Sequence, residues 1–275
     1  MRLLLITLAL SGCGTSLVTE GQPSIDGGAP ACTVTPDAVT CTAVISHLTV
    51  GTANRDVYWQ TPVTPPPANG YPVVVLFQGS FLGPSTTWGT VSKDMAFGGY
   101  QQARLQAMLL AQGYVVIAPS AASGVAWQTN TGGPWDLTAD SAVMTALFEA
   151  MARGDFTALD ASRWYATGIS SGGYMTSRMA LSYAGKFRAL AIESASWATC
   201  AGSLCAMPAT LPADHPPTLF LHGRKDTIVP LSTAEDYFHK LQAGGFTAEL
   251  EIDDNAGHEW LAVSPERITT WFESH

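Results

Sequence analysis

Residues 166–175 read Ala-Thr-Gly-Ile-Ser-Ser-Gly-Gly-Tyr-Met. Trp164-Tyr-Ala-Thr167 before them reads as a strand, and Gly173 to Tyr183 has helical spacing. Between the two, Gly168-Ile169-Ser170-Ser171-Gly172 fits G-x-S-x-G with Ser170 at its centre. The bare match is weak, because a Gly- and Ser-rich chain produces such pentapeptides by chance. Its placement makes it strong: a strand ends at the first Gly and a helix starts just after the Ser, the arrangement that lifts a nucleophile out of a sheet. The turn is sharp, so the flanking positions must be glycine, and strain pushes the serine hydroxyl out of the backbone. Ser171 is excluded as the centre, because Ile169 would then fill the first glycine position.

Outward from this turn, strands and helices alternate. Tyr71 to Phe77 and Tyr114 to Ala118 are short apolar runs, as buried parallel strands need. Phe187 to Glu193, Thr218 to Leu221 and Thr247 to Ile252 read as later strands. Ala43 to Val50 and Arg55 to Gln60 read as earlier ones. Helical stretches are Tyr100 to Gln112, Thr138 to Ala152 and Leu231 to Ala243, with Ser264-Pro265 capping a last helix. The pattern predicts an α/β fold: a mostly parallel sheet covered by helices on both faces, in one domain spanning 42–275.

A serine hydroxyl needs a base. His258, in Asn255-Ala-Gly-His258 just past a strand, is on a loop that can reach Ser170. His222 follows a late strand and reads as a residue shaping the next loop. His47, His215, His239 and His275 are placed worse. The partner that fixes the imidazole is Asp226, on the loop after the Thr218 strand, with Asp253 and Asp254 as rivals closer to His258 in sequence. The order Ser, Asp, His is that of the α/β-hydrolases. Two backbone N–H groups must face the developing oxyanion. One is Ser171. The other comes from Phe77-Gln-Gly-Ser-Phe81, with Ser80 favoured and Gln78 and Phe81 as alternatives. No metal or organic cofactor is expected.

The chain carries 13 Lys and Arg against 22 Asp and Glu, a formal charge of −9, so nucleic acid is not an expected partner. At 47% apolar and 13% charged residues, it has the composition of a folding chain. Arg2, the apolar Leu3–Leu10 and Leu10-Ser-Gly-Cys13 resemble a bacterial lipobox, the alternative being an ordinary secretory signal. Residues 1–12 are therefore read as a signal peptide, Cys13 as the lipidated residue and 13–41 as a Gly- and Pro-rich tether. The chain is expected to be exported to a bacterial surface and to meet the membrane only through that lipid. Export makes disulfides expected. Cys32–Cys41 and Cys200–Cys205 are the local pairings favoured among three possible.

Gly168-Ile-Ser-Ser-Gly-Gly-Tyr-Met-Thr-Ser-Arg-Met-Ala180, with the Asp226 and His258 loops, resembles the polyhydroxyalkanoate depolymerase branch of the α/β-hydrolases. It is similar, more closely, to the extracellular medium-chain-length enzymes. The resemblance covers roughly residues 70–275. It implies Ser170, Asp226 and His258 as the triad and 3-hydroxyacyl esters of a hydrophobic polyester as substrate. A lipid anchor departs from that group. A water-insoluble polymer must be gripped by apolar surface, and Trp127, Trp135, Trp197 and Trp260 fall in loops or at strand ends, so they are the expected contacts. The competing readings are an exported esterase for small or plant-derived feruloyl or acetyl esters, and a non-catalytic surface lipoprotein on a hydrolase scaffold.

Overall fold

Tyr71–Phe77 is buried along its whole length, which places it in the interior of a sheet rather than at an edge. In the computed structural model, which describes residues 17–20, 29–130, 133–199, 206–207 and 209–275, it is strand β6. The strands before it are β1 (Leu17–Glu20), β2 (Cys32–Val34), β3 (Ala38–Cys41), β4 (Val44–Val50) and β5 (Ala53–Gln60). After it come β7 (Gly89–Ser92), β8 (Val115–Pro119), β9 (Leu159–Ile169), β10 (Ala189–Glu193), β11 (Thr218–Gly223) and β12 (Ala248–Asp253). The helices are α1 (Gly99–Ala111), α2 (Ala139–Arg153), α3 (Ser171–Ser182), α4 (Leu231–Ala243) and α5 (Ser264–Ser274).

Nine strands form one sheet in the order β1-β4-β5-β8-β6-β9-β10-β11-β12. From β8 to β12 neighbours run parallel, and β1, β4 and β5 extend the β8 edge antiparallel. Side chains alternate between two faces. On β10, Leu190 and Ile192 point to the side carrying α2, α3 and α4, while Ala189 and Ala191 point to α1 and α5. The expected sheet with helices on both faces is what folds. All four loops of interest leave the carboxyl ends of parallel strands on one sheet edge, where sites in α/β folds lie.

The stretch read as a tether is partly structure. β1 pairs with β4, and β2 and β3 form a hairpin that joins β7 in a separate three-stranded sheet. Cys32–Cys41 is disulfide-bonded across that hairpin, and Val39 and Cys41 pack with Leu105 of α1. Strands of three or four residues carry too little periodicity to stand out from a Gly- and Pro-rich background. Strand β9 begins at Leu159 rather than Trp164, because its first half is half-exposed and lacks a continuous apolar run. Ser264 does not cap α5. Val263 holds the cap position, and the Ser264 hydroxyl is spent elsewhere, on Glu193. The signal segment, Cys13 and the Cys200–Cys205 pairing lie outside the described residues.

Candidate active site

Ser170 stands between β9 and α3 at φ 55°, ψ −121°, a region an L-residue rarely occupies. Its N–H donates to Glu193 O at 3.0 Å and its carbonyl accepts from Tyr174 N at 2.9 Å, so the strain is held from both sides. The two flanking glycines are required by close approach. A Cβ on Gly168 would lie 2.6 Å from both Phe77 O and Gly172 O, and one on Gly172 would lie 2.1 Å from Phe77 O. The elbow is therefore pressed against the end of β6, the strand that leads to the Gly79-Ser80 turn.

Asp226 lies on the loop after β11, buried. Its Oδ1 accepts from Ile228 N and Val229 N, both at 2.8 Å. Its Oδ2 accepts from His258 Nδ1 at 2.7 Å and lies 3.3 Å from His222 Nε2. Burial alone would raise this carboxyl, but the bonds from His222, His258 and Val229 N–H outweigh it and hold it well below the usual carboxylate range. With Nδ1–H committed to Asp226, His258 presents Nε2 as the free basic nitrogen. His222 Nε2 also faces Val229 O at 2.9 Å, so that nitrogen carries the hydrogen and the ring braces the acid loop. The rival acids are occupied: Asp253 accepts from Asn255 N and Ala256 N in its own turn, and Asp254 pairs with Arg224. His215 is a core residue bonded to Tyr237 OH, and burial lowers its pKa to about 4.

Ser170 and His258 line one cleft of about 330 Å³ with Gly79, Ser80, Phe81, Leu82, Phe97, Ile169 and Ile228. Ser170 Oγ has no hydrogen bond within the described residues, as is common before substrate tightens a site. A larger cleft of about 560 Å³ shares Phe97 but holds none of the three triad side chains. Converging chemical groups rather than size mark the site. Ser171 N–H and Ser80 N–H have no acceptor among the described residues, whereas Phe81 N–H donates to Val125 O at 2.7 Å and is unavailable. Ser80 thus remains a donor candidate and Phe81 does not. Among the described residues no three His, Cys, Asp or Glu side chains gather as a metal would need.

The tryptophans are not where polymer contacts were expected. Trp127, Trp197 and Trp260 are buried, Trp135 is half-buried against Tyr183 and the Arg178 guanidinium, and none lines this cleft. A large aromatic following a strand end is drawn into the core by its own apolar area. Trp127 instead fastens the segments that hold Gln78 and Ser171. Its backbone N donates to Ser171 Oγ at 2.8 Å and its indole N–H to Gln78 O at 3.1 Å. Asp140 accepts from Ala122 N and Gln128 N at 2.6 and 2.7 Å, which pins the Trp127 loop.

The exposed apolar residues at the mouth are others: Phe81 (82% exposed), Ile228 (60%) and Phe97 (44%), the last edge-on to His258. Sequence offered a signal for two of them. Phe81 follows the Gly79-Ser80 turn, and Ile228 is two residues past Asp226. Phe97 lies far from any motif.

Residues 205–275 match the prolyl oligopeptidase family. The poly(3-hydroxyoctanoate) depolymerase of Pseudomonas fluorescens is 46% identical over 244 residues, covering 87% of each chain. Among solved structures, a thermostable esterase superposes with a TM-score of 0.63 at 17% identity, over 84% of this chain and 62% of that one. The Pyrococcus horikoshii acylaminoacyl peptidase gives a TM-score of 0.56 at 17% identity, over 85% of this chain and 40% of that one. This chain spans less than two thirds of each of those two longer proteins, and the likeness to them is one of fold.

Proposed function

We propose that this chain, which belongs to the family of the poly(3-hydroxyoctanoate) depolymerase within the α/β-hydrolases and is a serine ester hydrolase, cleaves medium-chain-length polyhydroxyalkanoate. The observation that carries the substrate is the collar of Phe81, Ile228 and Phe97, exposed around Ser170 and His258. Apolar side chains left in water beside a reactive serine suit an ester whose surroundings are themselves apolar. Burying each against alkyl side chains contributes about 1–2 kcal/mol. Two of the three sit on the loops that carry Ser80 and Asp226, so the surface that adsorbs is continuous with the groups that cut.

His258 Nε2 takes the Ser170 proton as Oγ attacks the ester carbonyl carbon. The carbonyl oxygen becomes an oxyanion held by Ser171 N–H and Ser80 N–H, donors with no acceptor among the described residues. As the tetrahedral intermediate collapses, His258 returns the proton to the departing alkoxide, and the 3-hydroxyacyl group stays on Ser170. Water, deprotonated by His258, then attacks the acyl carbon, and His258 returns the proton to Ser170 Oγ as the acid leaves. Asp226 stays ionised throughout and holds the imidazolium. Export, with a lipid at Cys13 tethering the enzyme to the cell surface, belongs to the same proposal and is supported by the pattern of residues 1–13.

Dispersed poly(3-hydroxyoctanoate), poly(3-hydroxybutyrate), soluble p-nitrophenyl octanoate and a feruloyl ester separate the readings. Clearing of the long-side-chain polymer well above the short one supports the proposal. Rapid turnover of soluble or feruloyl esters with no clearing would replace it with a small-ester esterase. No turnover of any ester would leave a non-catalytic scaffold.

A further inference from the structure

Glu193 and Ser194, at the carboxyl end of β10, touch every segment that carries a member of the triad. Glu193 O accepts from Ser170 N at 3.0 Å. Its side chain is fully buried and reaches the other way: Oε1 accepts from Leu261 N at 3.1 Å, and Oε2 lies 2.6 Å from Ser264 Oγ. Ser194 Oγ donates to Glu259 O at 3.2 Å, the residue after His258, and Ser194 N donates to Leu221 O at 2.9 Å, on the strand that leads to Asp226. Ser194 achieves this at φ 46°, a left-handed conformation that a buried non-glycine residue adopts only where its surroundings hold it there. Helix α3 is packed tightly on the same segment: a Cβ on Gly173 would lie 2.5 Å from Ala195 Cβ and 2.8 Å from Glu193 O.

We infer that Glu193 and Ser194 are positioning residues, a buried strut that sets His258 against Ser170. The inference rests on reading Ser170 and His258 as nucleophile and base. A fully buried carboxyl is costly unless its bonds are needed. Burial pushes this one well above the usual carboxylate range, with Ser264 and Leu261 pulling the other way. The carboxyl accepts from two donors, Leu261 N–H and the Ser264 hydroxyl. A glutamine keeps the length and the acceptor for Leu261 N–H, and its NH2 meets Ser264 Oγ once that hydroxyl turns to accept. An alanine reproduces neither. The strut acts on the distance between reacting groups rather than on substrate contact, so it should be felt in kcat.

The test measures kcat and KM on p-nitrophenyl octanoate for Glu193→Ala, Glu193→Gln and Ser194→Gly. Loss of positioning should lower kcat about 10–100-fold in Glu193→Ala with KM held within about twofold. Glu193→Gln should return kcat to within about threefold of the parent. Ser194→Gly relieves the left-handed backbone while deleting the hydroxymethyl group that bonds Glu259 O, so it should lower kcat several-fold in protein that stays folded. Parental kcat in Glu193→Ala, equal damage in the Gln and Ala variants, or a change confined to KM would each overturn the inference. Should Glu193→Ala fail to fold, the other two variants decide. Parental kcat in Ser194→Gly, or alanine-sized losses in Glu193→Gln, overturns it. Normal turnover by Ser170→Ala instead overturns the reading of the site itself, whatever the Glu193 variants do.

Discussion

The floor and the rim of the cleft are built on opposite principles. On the floor, the polar atoms that hold the reacting groups in place are bonded: Asp226 takes contacts from Ile228 N, Val229 N, His258 and His222, and Ser170 N is held by Glu193. On the rim, Phe81, Ile228 and Phe97 stand apolar in water. The floor decides whether an ester bond breaks, and needs groups fixed to fractions of an ångström. On the proposed reading the rim decides which surface the enzyme settles on, and needs area rather than geometry. The two should respond differently to substitution and to the physical state of the substrate.

The largest effects belong to the floor. Ser170→Ala and His258→Ala should each lower turnover by several orders of magnitude on polymer and soluble ester alike, in protein that remains folded by circular dichroism. Asp226→Asn should cost roughly a thousandfold or more, because the imidazole loses the partner that fixes its tautomer. The asymmetry expected between floor and rim breaks if any of these spares the soluble ester while abolishing clearing.

Trp127 tests where the boundary runs. As a buried residue stapling Gln78 O and Ser171 Oγ, it belongs to the floor. Trp127→Ala should cost about 3–5 kcal/mol in denaturant-measured stability and lower both activities in proportion. A selective loss of clearing would move it to the rim.

Rim substitutions should give smaller, selective losses. Phe81 has φ 63°, so Phe81→Asn keeps the backbone while removing the ring. Phe81→Asn and Ile228→Ser should each reduce polymer clearing several-fold to about thirtyfold, with soluble-ester turnover within about twofold. Parallel losses on both substrates would show these side chains shaping the acyl pocket instead.

The smallest effect is one of pH. Burial, aided by the charge of Glu259, raises the Glu193 carboxyl in the folded protein. A raised folded-state value gives stability that is present at acid pH and lost as pH rises through it. The melting temperature of Glu193→Gln should therefore gain on the parent as pH rises. A constant difference from acid to alkaline pH would show that Glu193 titrates no differently on folding.

What was legible in the sequence follows from how local each constraint is. Ser170 announced itself because the elbow needs glycines at 168 and 172, within two residues of the nucleophile. Asp226 was readable because it follows a continuous apolar strand, and His258 because it follows one in which Leu250 and Ile252 alternate with Glu249 and Glu251. The central strands β6, β8 and β10 were readable as apolar runs in the same way. The hairpin of β2 and β3 was not, since its stability comes from Cys32–Cys41 and from packing on α1 rather than from periodicity. The tryptophans misled because their composition favours both core and rim, and burial is decided by tertiary partners such as Tyr237 for Trp197 or Gln102 for Trp260. Ser264 read as a helix cap, and only the fold reveals that Glu193 claims its hydroxyl.

The central claim is that Ser170 takes the 3-hydroxyacyl group covalently from a medium-chain polyester. It is tested most directly by acid-quenching the enzyme within milliseconds of mixing with a poly(3-hydroxyoctanoate) oligomer and mapping the adduct by peptide mass. The expected result is a 3-hydroxyacyl mass on the peptide containing Ser170, absent in Ser170→Ala, which also releases no product. Product release by Ser170→Ala, or an adduct on another residue, would contradict it.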